Sequence, residues 1–97
     1  MFKFSYKMDK NDQLYAQLLY LLHQSAMVEL GKVANPQTNK AEVNIQQAAQ
    51  AIDMLEMLKE KTKGNLSNDM QKTQDIMLSE LRLNFVDESN KQKHEST

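Results

Sequence analysis

At 97 residues the chain has room for one domain, and two glycines, one proline and no tryptophan are too few turn formers for an all-β fold. The absence of cysteine excludes a disulfide framework and a thiolate metal site, although it is compatible with a reducing compartment. Twelve basic and thirteen acidic residues nearly cancel, and no segment carries more than one net charge of either sign. The positive excess needed to neutralise several phosphates is therefore missing, and nucleic-acid binding as the main role is disfavoured.

Nothing in the chain approaches a run of about 18 apolar residues, so no membrane-spanning helix is expected. The first residues contain lysines but no apolar stretch and no small-residue cleavage site. The expectation is a cytosolic protein with an unmodified N-terminus that engages no membrane.

Residues 1–10 read as a flexible aromatic arm. Phe2, Phe4, Tyr6 and Met8 alternate with Lys3, Ser5, Lys7 and Asp9, which is strand periodicity. One strand has nothing to pair with inside a helical chain, so the sharper alternative is an arm that pairs with, or packs on, a second copy.

The spacing predicts a first helix from an N-cap at Asn11 or Asp12 to Gly31, whose place after the last apolar residue suits a left-handed terminus. Between Leu14 and Leu30, twelve of seventeen residues are apolar. Tyr15, Leu19, Leu22, Ala26 and Leu30 form one stripe at helical spacing, and Leu14, Leu18, Leu21 and Val28 form a second on another face. A surface helix of a small domain ordinarily has one. Two stripes require burial from two sides, and that points to assembly. His23 projects on the apolar side, either as a core or interface histidine with one hydrogen-bond partner or as a pH-sensitive contact between subunits.

A loop follows over residues 32–42. Its length leaves the first and second helices free not to be close antiparallel neighbours. The second helix opens on Asn44 as cap, with Gln47 placed to reach back. It buries Ile45, Ala48, Ala51, Ile52, Met54, Leu55 and Leu58, and closes on lysines that suit the negative end of its dipole. Met57 falls among its charged residues and is a candidate partner contact. Gly64 supplies a positive φ, Asn65 tolerates one, and Ser67 caps the third helix. So short a link sets the second and third helices side by side and antiparallel. The third helix spans about residues 68–86 with Met70, Met77, Leu78, Leu81 and Phe85 inward and Ile76 and Leu83 on another face. Residues 87–97 read as a disordered polar tail.

The segment from Ala48 to Val86 resembles a small bacterial family catalogued only as a domain of unknown function, number eighteen forty-four in that series. The resemblance rests on Ala49, Ile52-Asp53, Leu55-Glu56-Met57-Leu58, the turn Lys61-Thr62-Lys63-Gly64-Asn65-Leu66, Leu81-Arg82-Leu83 and Phe85-Val86. Upstream, Ala26, Leu30-Gly31 and Asn35-Pro36 look like the family's first helix and loop, so residues 18–86 are covered. The resemblance implies a short, all-helical bacterial protein with no established activity and no catalytic residues to carry over. The chain departs from the family at Met70, where an acidic residue would complete a capping box, and in its aromatic arm.

Searching for chemistry yields little. His23 and His94 are the two histidines, and neither follows a glutamate by three residues as di-iron bundles require. Asp53, Glu56 and Glu60 share a flank of the second helix but alternate with lysines, as a solvated face does. No serine or threonine has a base beside it in sequence, and no glycine-rich phosphate loop exists. Arg82 is expected to pair with Asp53 across the second and third helices.

The reading is an all-α domain of three helices over residues 11–86. Helices 2 and 3 form a tight hairpin, and helix 1 packs across it. It is expected to be no enzyme, to carry no cofactor or metal, and to act as a small interaction or scaffold module through apolar helix faces. A homodimer, helix 1 meeting its own copy, would bury Leu14, Leu18, Leu21 and Val28 with Ile76 and Leu83; an unidentified protein is the other partner. The alternatives are a ribosome- or RNA-associated accessory factor, and a small-molecule binder using the space around His23 and Arg82.

Overall fold

The computed structural model describes residues 9–95. The arm expected over residues 1–10 lies outside the described residues for positions 1–8. Three helices form the fold: α1 (Lys10–Glu29), α2 (Ile45–Lys61) and α3 (Asn68–Glu95), with α1 packed against both others. Partners from Tyr15 with Gln74 to His23 with Glu80 to Lys32 with Glu88 advance together along α1 and α3, so these two run parallel. α2 runs antiparallel between them in the chain.

Each helix starts where a short polar side chain can take up an orphan amide. Asp9, not Asn11 or Asp12, caps α1, its Oδ1 accepting from the Asp12 amide at 2.7 Å. Asp12 falls inside the first turn, where its charge suits the positive end of the dipole. Asn44 caps α2 through the Gln47 amide at 3.1 Å, and Ser67 Oγ accepts from the Met70 amide at 3.2 Å at the head of α3.

α1 ends in a Schellman turn. Gly31 has φ 73°, its amide donates to the Val28 carbonyl, and the Lys32 amide reaches back to Met27. The following loop does not hold α1 and α2 apart. Leu30 bridges to Val43 and Asn35 to Lys40 in antiparallel fashion, and Asn39 takes a left-handed φ of 59° at the bend. The segment thus doubles back on itself, and the Asn44 amide donates to the Glu29 carbonyl at 2.7 Å. The start of α2 is tied directly to the end of α1, whatever the length of chain between.

The core is formed by Leu19, Ala26 and Leu30 of the first segment, Ala48, Ala51, Ile52 and Leu55 of α2, and Met77, Leu78 and Leu81 of α3. Tyr15, Leu22, Met27, Ile45 and Phe85 pack at its rim. Met54, expected inside, is exposed, as is Met57. At about 100° per residue, Met54 lies about 100° around α2 from Leu55 and about 120° from Ala48, past the edge of the buried arc. Gln74, on the inward line of α3, is fully buried and satisfied by the Tyr15 hydroxyl.

α3 runs to Glu95 and does not give way to a disordered tail at residue 87. No glycine or proline follows Gly64 to stop it. Past Val86 it gains Glu88, which is buried, and Lys91, which reaches Asp87 at 3.3 Å and Glu88 at 3.4 Å one turn back.

The two glycines differ in surroundings. At Gly64, with φ 82°, an added Cβ would meet nothing within 4 Å, whereas at Gly31 it would stand 2.8 Å from Val43 Cγ2. Alanine at either position carries the left-handed strain of about 1–2 kcal/mol. Gly31→Ala is expected to cost more than Gly64→Ala in urea denaturation, because Val43 must also move. Equal losses would show that the loop gives way freely.

Candidate interaction surface and the polar sites beside it

Opposite its buried line, α1 presents Leu14, Leu18 and Leu21 to solvent, with Val28 half-buried on the same side. On α3, Ile76 and Leu83 likewise point away from the buried line and are exposed. The six residues singled out by helical spacing thus fall into two separate lines, one on each of the parallel helices, and of the six only Ile76 borders the groove between those helices. Tyr20, also exposed, stands between the buried and outward arcs of α1.

Between α1 and α3 lies an open groove of about 470 Å³ with Tyr20, His23, Gln24, Ile76 and Glu80 on its walls and Met77 at its floor. His23 Nε2 is 3.2 Å from Glu80 Oε1, and Gln24 donates to the Tyr20 hydroxyl at 2.8 Å. His23 thus has a side-chain hydrogen-bond partner in Glu80, as expected of a core or interface histidine with one such partner. A second cleft of about 360 Å³ lies between α2 and α3, over Ala49, Ile52 and Phe85, with Asp53, Glu56 and Arg82 around it. His23 and Arg82 border different depressions on opposite flanks of α3, so they do not share one ligand space.

Arg82 pairs with Glu56 and not with Asp53, its Nε and Nη2 donating to Glu56 Oε1 at 2.9 and 2.6 Å. Helical side chains lean toward the N-terminus of their own helix. In an antiparallel pair Arg82 therefore leans toward the turn while Glu56, nearer the turn, leans away from it, and the two meet. Asp53 leans past. Lys59 and Asp75 make the next rung at 2.8 Å, closer to the Gly64 turn.

The polar contact that the sequence did not signal is Lys32 with Glu88. Lys32 leaves the Gly31 turn and donates to Glu88 Oε1 at 2.8 Å, with Asp87 at 3.6 Å. This hydrogen bond holds the Glu88 carboxyl below its usual range, against the opposing effect of burial. Lys91 is exposed, and its hydrogen bonds to Asp87 and Glu88 raise it above its usual value. Among the described residues no three of His, Asp or Glu gather as a metal ion would need, and no described helix is long and apolar enough to cross a membrane.

One family pattern covers α2, most of α1 and α3, and all six residues of the two outward lines, matching residues 13–88. The chain belongs to the family described as Domain of unknown function (DUF1844). The match takes in the Gly64 turn and reaches Glu88, so the Lys32–Glu88 contact falls inside the family's span. No curated protein and no solved structure matches the chain.

Two outcomes follow from the polar contacts. Arg82 and Glu56 are both about half exposed, so a double-mutant cycle is expected to give about 0.2–1 kcal/mol of coupling, with none between Arg82 and Asp53; coupling to Asp53 in place of Glu56 would contradict the geometry. Glu88 acts through acid. Its folded value lies below the unfolded one, so its contribution is complete above the ordinary carboxylate value of about 4.3 and is lost as the pH falls through the lowered one. Glu88→Gln should lower stability at neutral pH and flatten its decline below about pH 4.5. An unchanged acid limb in the variant would remove Glu88 from the account.

Proposed function

We infer that this chain is a small non-catalytic interaction module that acts through outward apolar helix faces and self-associates as a homodimer. The observation carrying this reading is the exposure of aligned aliphatic side chains: Leu21 is 65 % exposed, Ile76 64 % and Leu83 74 %. Single exposed leucines are ordinary on soluble proteins, but rows at helical spacing on two helices are the form that helix-face recognition takes. Burying one fully exposed aliphatic side chain is worth about 1.5–3 kcal/mol, and these six are already partly covered, so burying all of them supplies several kcal/mol. Association offsets part of that, which makes the self-association weak.

Four of the chain's twelve cations are already committed within the fold, which weighs against a nucleic-acid partner. Lys32, Lys59, Arg82 and Lys91 are each engaged by a carboxylate, so a phosphate backbone would have to break those pairs. A cytoplasmic setting fits the cysteine-free composition.

Sedimentation at tens of micromolar is the test. The expected result is a species of twice 11.2 kDa. A clean 11.2 kDa monomer would overturn the homodimer and leave the outward lines as docking sites for a different protein.

A further inference from the structure

The groove between α1 and α3 has a shape that the outward rows lack. Met77 floors it, and the exposed side chains of Tyr20 on α1 and Ile76 on α3 form apolar walls. Glu80, about half exposed, adds a carboxylate to the α3 wall. Because α1 and α3 run parallel, both walls begin at the same end of the fold, and the chain enters α1 at that end. Asp9, the cap there, has extended backbone with φ −73° and ψ 174°, so the helix begins abruptly beside the mouth of the groove. We propose that the aromatic arm, residues 2–8 of the same chain, runs back antiparallel to α1 and seats its apolar face in this groove.

Length, periodicity and charge each specify that occupant. An extended chain covers about 3.3 Å per residue, so Phe4 reaches about 16 Å from Asp9 and Phe2 about 23 Å. Along the helix, at about 1.5 Å per residue, Tyr20 lies about 16 Å from Asp9 and Gln24 about 22 Å. The arm is therefore long enough to cover the groove, and it stops short of Val28 at about 28 Å. Phe2, Phe4, Tyr6 and Met8 fall on one face of an extended segment at intervals of about 6.6 Å. Residues four apart on a helix are separated by about 6 Å, so one apolar side chain meets each turn of the walls. Lys3 and Lys7 are the charges of residues 1–8, which contain no acid. α1 has no acid between Asp12 and Glu29, so its outward row offers these lysines nothing, whereas the groove offers Glu80. An arm tethered at Asp9 also acts at an effective concentration on the order of millimolar, against which a second copy competes poorly.

The arm stays within its own chain, so a monomer and a dimer in sedimentation are equally compatible with it. Because the chain has no tryptophan, Phe4→Trp adds a single emitter to the arm. Its emission is expected to be blue-shifted, and acrylamide should quench it several-fold less than in the same variant unfolded in urea. Dilution from tens of micromolar into the nanomolar range should change neither property. Adding Ile76→Lys should return the emission to the urea value, whereas adding Leu21→Lys on the outward row of α1 should not. Both residues are exposed, and circular dichroism checks that helicity is kept. A tryptophan as accessible in the folded protein as in urea would overturn the proposal. Protection lost on dilution would assign the arm to a second copy and overturn it as well. Protection that survives Ile76→Lys, or that Leu21→Lys abolishes, would place the arm on a different face and overturn the groove as its seat.

Discussion

The close approach of Val43 to Gly31 is the constraint on which the rest of the fold depends. A backbone with φ 73° and no Cβ lets the chain turn out of α1 within one residue, and the space a Cβ would fill belongs to Val43. Two consequences follow at once. Leu30 and Val43 come into register, so the Asn44 amide can reach the Glu29 carbonyl and α2 starts against the end of α1. Lys32, the residue after the turn, is also delivered toward α3, where Glu88 receives it. One glycine thus positions α2 through the backbone and the far end of α3 through a side chain.

The parallel run of α1 and α3 shapes what the surface can do. In a three-helix arrangement each helix turns one face inward, and the antiparallel α2 spends its small residues there: Ala48 and Ala51 are buried among larger partners. α2 then surrounds its exposed methionines with charged residues, including Asp53, Glu56 and Lys59. α1 and α3 instead keep aliphatic residues on their outward arcs. Exposure is therefore allocated unevenly among the helices, and the two that run parallel carry it.

What the sequence made legible was local. A cap needs a short polar side chain within three residues of an orphan amide, and Asn44 and Ser67 could be assigned from spacing alone; so could the positive φ at Gly31 and Gly64, and the inward stripes around Leu19, Leu55 and Leu78. What it concealed was relational. Loop length said nothing about where the ends of residues 31–43 lie, because backbone bridges inside the loop bring them together. The partner of Arg82 depended on the direction in which side chains lean on two antiparallel helices, which spacing within one helix does not encode. The polar composition after Val86 argued for disorder, and only the placement of Lys32 shows what Glu88 contributes there. The rows and their places on the first and third helices were visible from spacing; that no other described helix covers them needed the relative rotation of the helices.

Charge decides how those rows behave toward another molecule of the same kind. With a net charge of −1 the chain exerts almost no long-range repulsion on its own copies, so nothing at a distance opposes contact. At short range the ion pairs run along the seam between helices, where Lys59 with Asp75 and Arg82 with Glu56 bridge α2 and α3, and a hydrogen bond between His23 and Glu80 bridges α1 and α3. These partly exposed pairs contribute little to stability individually. Their larger effect is on the surface, since each charge taken up by a neighbour within the chain is one fewer that a partner must desolvate unpaired. The outward aliphatic rows are thereby set in a frame whose charges are locally satisfied, and contact with them is limited mainly by shape and by the area available to bury.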